Sequence, residues 1–463
     1  MQTEMLATAS TPVLTDTVVA AFKQSLKGPL LRTGDAGYDE ARTVWNAMID
    51  RRPALIARCT DAEDIVCAVN FARAQDLLVS VRGGGHNVAG KAVCEGGLMI
   101  DLSLMKGIEV DPVQRTARVE PGVIWSEMDQ ATQAHGLATT GGTVSHTGVA
   151  GLTLGGGLGW LLATHGLSCD NLLTAEMVLA DGRQVTASDT EHPDLFWAIR
   201  GGGGNFGIVT SFQFCLHPVG PTVLGGMVLH PIEDAQSVLR FYREFSANSP
   251  DALTVYAGLI STPDGQPVVA LIVGWFGVLE EGEQVLAPLR SFGSPLADLV
   301  GPLPYCQLQS MLDAAAPFGL PRYWKSGYFK ALPDDLLDSI VAHAIARTSP
   351  FSVIIFFHMH GAATQVPTTA TAFGHREDQW DFDIIAQWTD PATANEHIAW
   401  ARNFWQAVAP FSTGVYVNHL DADDQAARVQ SAYGVNYERL AAVKRVYDPT
   451  NFFRLNHNIA PSA

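Results

Sequence analysis

Apolar positions in the first half of the chain follow two alternating periods, that of the pleated strand and that of the helix. Residues 54–59 (ALIARC) read as a strand, 61–75 (DAEDIVCAVNFARAQ) as a helix and 77–81 (LLVSV) as a second strand, which empties into the glycine turn RGGGH. Strand-like runs follow at 97–103, 107–111 and 116–123, a helix spans about 124–135, and a second glycine-rich stretch occupies 141–166. A strand over 171–182, a helix over 194–200, a run of glycines and a strand over 206–216 close this segment near Pro218. Such a mixture predicts an α+β fold.

After Pro218 the strands lengthen and the helices become amphipathic. A strand at 225–231 and a helix at 235–246 precede a hairpin over 255–277, turned at PDGQ, and further strands are expected at 351–361 and 381–388. Residues 219–403 therefore read as a separate antiparallel sheet with helices over one face. The tail offers a short strand at 414–418 (GVYVN) and a long helix that stops at Asp448, because Pro449 cannot continue it.

Glycines cluster at 83–85, 155–159 and 201–207. Glycine admits positive φ and close approach of the backbone, so successive amides can converge on one anion, and a diphosphate is the natural guest. Each cluster alone could be an ordinary turn; three in one segment argue for a nucleotide. Gly202 to Gly207 satisfy GxGxxG, yet a helix precedes them and a strand follows, the reverse of a dinucleotide fingerprint. His86 closes the first turn. A histidine at a loop end is commonly a surface hydrogen-bonding residue, but beside a phosphate cradle it lies within reach of the cofactor's ring system.

Composition narrows the class. A chain of 463 residues exceeds what one core usually holds, so two domains are expected, and 47% hydrophobic with 16% charged residues excludes disorder. The net charge of -18 argues against nucleic acid and anionic membranes as partners and leaves a small-molecule substrate. The N-terminal MQTEMLATASTPVLTD has neither a basic start nor a long apolar run, so a cytoplasmic protein is expected. Cys59, Cys67, Cys94, Cys169, Cys215 and Cys306 lack the spacing of a zinc site and read as small apolar residues; no metal is expected.

Four stretches, VRGGGHNVAG, GGTVSHTGVAGLTLGGGLGWLLATHGLSCDN, DLFWAIRGGGGNFGIVTSFQF and VKRVYDPTNFFRLNHNI, together resemble FAD-linked oxidases of the vanillyl-alcohol-oxidase/PCMH superfamily, berberine-bridge branch. The resemblance implies a PCMH-type FAD-binding domain of two α/β subdomains over 1–218 and 404–463, and a substrate-binding domain over 219–403. It implies that FAD is bonded covalently through His86 and that Arg82, Gly83, Gly84, Gly85 and Asn87 form the pyrophosphate loop. Gly141, Gly142, Gly148, Gly151, Gly155, Gly156, Gly157 and Gly159 match the second cofactor loop, Ile208 and Val209 the adenine side, and Asn456 and Asn458 the ribityl and ring side. The cysteine that makes a second flavin bond in many relatives is here Val144, so a second bond is not expected, and Cys169 is a poor substitute.

The implied reaction is removal of a hydride from a small alcohol, sugar, phenolic or amine to flavin N5, with oxygen reoxidising the flavin to give hydrogen peroxide. Where relatives carry a tyrosine base, this chain has His419; an unperturbed histidine near pKa 6.5 is already largely neutral at pH 7, whereas a tyrosine near 10 must be lowered at a cost of roughly 4 kcal/mol. Tyr416 is the second candidate. His358 and His360 share one strand face and, with Tyr323 and Lys325, are candidates for the substrate pocket, ordinary packing being the alternative. A dehydrogenase using another acceptor, or a non-catalytic nucleotide-binding protein, would share the same glycine loops.

Overall fold

The computed structural model describes residues 14–462; most of the N-terminal stretch considered above lies outside them. Among the described residues, a four-stranded sheet orders Leu30–Leu31, Leu55–Arg58, Leu98–Asp101 and Val79–Arg82, the last three parallel. Their apolar side chains are buried on both faces, as a parallel sheet requires. The helix Ala62–Ala74 starts at Asp61, whose carboxylate caps the Asp64 amide at 3.0 Å, and lays Ile65, Ala68, Val69 and Ala72 on that sheet.

A second, five-stranded antiparallel sheet runs Ile108–Asp111, Thr116–Val119, Ile208–Cys215, Leu172–Val178, Gln184–Ser188. Its core takes in Trp125 from the helix Trp125–Gln133 and Phe196 from Pro193–Ile199. The predicted mixed α+β character of the first segment is what these two sheets and their helices form, and the fold is that of the PCMH and berberine-bridge flavoproteins.

The third sheet is large and antiparallel. Its long strands lie in the order Thr222–Pro231, Pro267–Trp275, Leu253–Ser261, Val353–Met359, Gln379–Gln387, Arg322–Phe329. The helices Ala235–Ala247, Leu279–Arg290, Asp334–Ile345 and Ala394–Val408 cover one face, burying Ile354, Phe356, Phe382 and Ile384. The last of these helices runs through the expected junction at 403/404, because Phe404 and Val408 pack into the same core. The opposite face turns toward the first segment, where Trp160 and Leu161 meet Tyr256, Ile272 and Val353.

One expected element differs. GVYVN is not a strand: Gly414 makes a single bridge to Tyr328, and Val417–His419 close a 3-10 turn. Side-chain anchors outweigh ladder pairing here, since Tyr416 Oη accepts from the Gly157 amide and Asn418 Nδ2 donates to the Leu152 carbonyl, both drawing the chain toward the second glycine loop. The helix Tyr437–Tyr447 ends before Pro449 as expected, and Phe452 and Phe453 return the tail to the first sheet's core beside Ile208.

Candidate functional site

A long cavity runs between the glycine loops and the uncovered face of the large sheet, with about 2190 Å³ of empty space including its open mouth. Its length, from the three glycine loops to the sheet face, suits an extended ligand. Gly83, Gly84, Gly85, His86 and Asn87 line it from the first loop, Gly142, Gly148 and Gly151 from the second, and Gly203, Gly204, Asn205, Gly207, Ile208 and Val209 from the third. The tail adds Asn456, whose amide donates to the Gly204 carbonyl at 3.0 Å.

The loops touch through bare backbone. A Cβ on Gly84 would stand 2.5 Å from the Gly148 amide nitrogen, and one on Gly148 equally close to that of Gly84. Among the described residues, nothing accepts a hydrogen bond from the backbone amides of Gly84, Gly85, His86 and Asn87. Consecutive free amides beside a buried apolar floor suit a diphosphate, so the residues present fit FAD.

Other predicted cofactor residues shape the cradle from behind. The Arg82 guanidinium turns away to Asp101, with two contacts of 3.0 Å, and only holds the strand end. Gly159 packs against the Gly141 carbonyl, Gly155 against Asn418, Gly156 against Phe373 and Gly157 against Ser168, so these five glycines support the loop without lining the cavity. Asn458 likewise stands outside the lining residues. Val144 is at the wall, whereas Cys169 is buried in the hydrophobic core.

His86 stacks on Trp45, ring centroids 4.2 Å apart, and its Nε2 lies 3.1 Å from His146 Nδ1. Burial, reinforced by His146 and Arg322, pushes the His86 imidazole well below the ordinary histidine range, so it is neutral.

The four predicted pocket residues stand elsewhere, for one reason: strand alternation puts them on the helix-covered face. On Val353–Met359, Val353, Ile355 and Phe357 reach the cavity, while His358 shares the face of Ile354 and Phe356 and bonds Asp378 at 2.8 Å. His360 stacks on His358 at 4.6 Å. On Arg322–Phe329, Trp324 lines the cavity, whereas Tyr323 lies in the opposite core and Lys325 pairs with Asp423 and Asp424.

The two candidate bases do reach the cavity, but not in the expected roles. Tyr416 Oη accepts from Gly157 N–H at 2.8 Å and Asn418 Nδ2 at 2.7 Å; burial nevertheless raises its phenol above the ordinary tyrosine value, so it stays un-ionised. His419 Nδ1 stands 3.0 Å from Asp383 Oδ1 and 3.1 Å from Asp381 Oδ2, and its ring stacks on Trp324 at 4.7 Å. Burial alone would lower its pKa, yet the two carboxylates outweigh it and hold the imidazole at about 10. A neutral histidine base is thus replaced by an imidazolium. Burial first and Asp383 second raise the Asp381 carboxyl to about 6. Both Asp381 oxygens and Asp383 Oδ2 accept no hydrogen bond among the described residues, and Asp383 faces the cavity. These carboxylates escaped the sequence reading; the available signal was DFDIIAQ, where Asp381, Asp383 and Gln387 share a parity within an otherwise apolar strand.

The comparisons with known proteins agree with this geometry. Residues 53–188 match the FAD binding domain family and residues 415–460 the berberine and berberine-like family. The chain is 32% identical to an FAD-linked oxidoreductase of Dictyostelium discoideum, over 96% of this chain and 97% of that one. It is 30% identical to (R)-6-hydroxynicotine oxidase of Paenarthrobacter nicotinovorans, over 94% of this chain and 97% of the relative. The crystal structure of 6-hydroxy-D-nicotine oxidase from Arthrobacter nicotinovorans superposes with a TM-score of 0.85 at 29% identity, covering 95% of this chain and 99% of that one. A diphosphate-sized cradle of free amides, a tail that closes it and whole-length similarity converge: this chain belongs to the FAD-linked oxidoreductases of the berberine-bridge type.

Proposed function

We propose that the protein is an oxidase that carries FAD covalently through His86 and oxidises a small, largely apolar molecule bearing one amine or hydroxyl group. Bound FAD supplies the redox chemistry, accepting a hydride from a C–H bond and passing the electrons to oxygen. The observation that carries the substrate reading is the composition of the far wall. Ile260, Ile272, Val353, Ile355, Phe357 and Ile385 give it an aliphatic surface, and the cluster of Asp381, Asp383 and His419 interrupts it with a net negative charge. An oligosaccharide would need polar partners along its length; an apolar ring with one protonated or hydroxylic group needs only this cluster.

Asp383 is the proton acceptor in this scheme. Its Oδ1 is held by Trp324 Nε1–H at 2.8 Å and by His419, which leaves Oδ2 for the substrate O–H or N–H. His419 offsets part of the charge of the two carboxylates, and Trp324 with Phe357 orients the ring. The relative named for oxidising 6-hydroxynicotine accords with such a substrate. The test is a panel of cyclic amines, alcohols and oligosaccharides, read by anaerobic bleaching of the flavin and by peroxide release in air. Amine or alcohol turnover with peroxide supports the proposal; turnover of oligosaccharides alone, or bleached flavin that air fails to restore, refutes it.

A further inference from the structure

We propose that Arg322 is a positioning residue that tunes the cofactor: its buried charge, met by no carboxylate, raises the reduction potential of a flavin held at His86. The inference rests on the covalent reading of His86 given above.

The guanidinium is wholly buried, yet every group that accepts from it is neutral. Nε–H donates to Gln387 Oε1 at 2.7 Å, Nη1 to the carbonyls of Trp45 and Leu320 at 3.0 Å each, and Nη2 to the Pro317 carbonyl. Among the described residues no carboxylate pairs with it. Burial lowers its pKa to about 9, which leaves it protonated at neutral pH. A cation in a dry interior is costly unless a counter-ion meets it or a ligand's charge uses it.

Arg322 does not line the cavity, but its partners Trp45 and Gln387 do. The guanidinium carbon lies 3.8 Å from the centre of the Trp45 ring, and His86 stacks on the same residue at 4.2 Å. The field of Arg322 reaches the first glycine loop: burial is the main reason that His86 and His146 sit below the ordinary histidine range, and the guanidinium pushes both further down. Strand register keeps the acidic cluster away from it. Arg322 pairs with Gln387 and Ser326 with Asp383, so cation and carboxylate stand four residues apart on the same strand pair, roughly 14 Å at the usual rise. The cavity wall is therefore polarised, positive at the His86 end and net negative at Asp381, Asp383 and His419.

This polarity acts on the charge that the reaction moves. A hydride carries two electrons and one proton, so the ring system that receives it gains one negative charge, while the substrate's second proton passes to Asp383 Oδ2. A fixed cation nearby favours the charged, reduced ring over the oxidised one, and the low dielectric of the site preserves that difference.

The experiment uses the full chain loaded with FAD, and the two-electron reduction potential is read by equilibration with a dye of known potential. Arg322→Gln, which removes the charge, should make reduction about tenfold less favourable, a fall of about 30 mV for a two-electron couple. Arg322→Lys, which keeps a charge and gives up the fork of hydrogen bonds, should stay near the wild-type potential at about pH 6. Sulfite, which leaves a negative charge on the flavin ring when it adds to it, should bind the three proteins in the same order. Gln387→Glu sets a carboxylate against the guanidinium and should also lower the potential; it decides the matter if Arg322→Gln holds no FAD. An unchanged potential in Arg322→Gln or Gln387→Glu, or a fall in Arg322→Lys as large as in Arg322→Gln, overturns the inference while the covalent bond stands. Wild-type flavin that is released by acid precipitation overturns the covalent reading and the inference together.

Discussion

His419 Nδ1 lies 3.0 Å from Asp383 Oδ1 at the cavity wall, and a second buried carboxylate, Asp381, stands 3.1 Å from the same nitrogen. Three ionisable groups in a dry site carry two negative charges and one positive. The site therefore keeps a residual negative charge within an apolar wall, and in the proposed reaction that charge sets both what binds and how a proton leaves.

Asp383→Asn should retain FAD and lose chemistry. General-base catalysis contributes about 10²–10⁴-fold, and stopped-flow flavin reduction under anaerobic conditions should slow by that order. An unchanged rate would remove Asp383 from the mechanism.

The pH dependence follows from Asp381, whose carboxyl is raised to about 6. As pH falls through that value Asp381 takes a proton and the cluster loses negative charge beside the substrate. Flavin reduction should decline below about pH 6. Stability has the opposite sign: His419 is raised to about 10, so its pairing stabilises fully below the unfolded value of about 6.5 and is lost as pH rises through 10. The melting-temperature gap between wild type and His419→Gln should be widest below pH 6.5 and close toward pH 10.

Gly84→Ala should abolish the nucleotide cradle. The new methyl would meet the Gly148 backbone at 2.5 Å, and a backbone atom cannot rotate aside. A cost of about 1–3 kcal/mol is expected, read as a lower denaturation midpoint together with loss of bound FAD.

Lys325→Ala and Phe357→Ala should separate stability from substrate binding. Lys325 is paired with Asp423 and Asp424 on the covered face, so its loss should lower stability by up to about 3 kcal/mol with KM unchanged. Phe357 faces the cavity, so its truncation should raise KM several-fold. A KM effect from Lys325→Ala would contradict the face assigned to it.

His86→Ala should yield a polypeptide that carries no colour after acid precipitation. Retained colour would place the covalent bond at another residue.

Much of the architecture is local and so was legible. Period-two and period-3.6 runs located the main elements of the first segment and the strands at 225–231, 255–277, 351–361 and 381–388, but not the helices Leu279–Arg290, Asp334–Ile345 and Ala394–Val408 or the strand Arg322–Phe329; Pro449 marked the end of the last helix, and the order of helix, glycines and strand around Gly202 to Gly207 argued against a nicotinamide-type fingerprint. GVYVN failed because side-chain anchors to Gly157 and Leu152, more than 250 positions away, override its strand propensity. The pocket assignments failed differently. FSVIIFFHMH is apolar on both faces, so alternation says that His358 and His360 share a side but not which side meets the cofactor.

The sequence alone marked the glycine runs at 83–85 and 203–207 that line the cavity, because glycine acts through backbone conformation and carries its meaning wherever the chain goes. Only the tertiary structure decided which strand face is the active one and what charge His419 bears. Both depend on groups distant in sequence: helices that occupy one side of a sheet, and two aspartates that enter the same dry site and bind the proton of the histidine through their field.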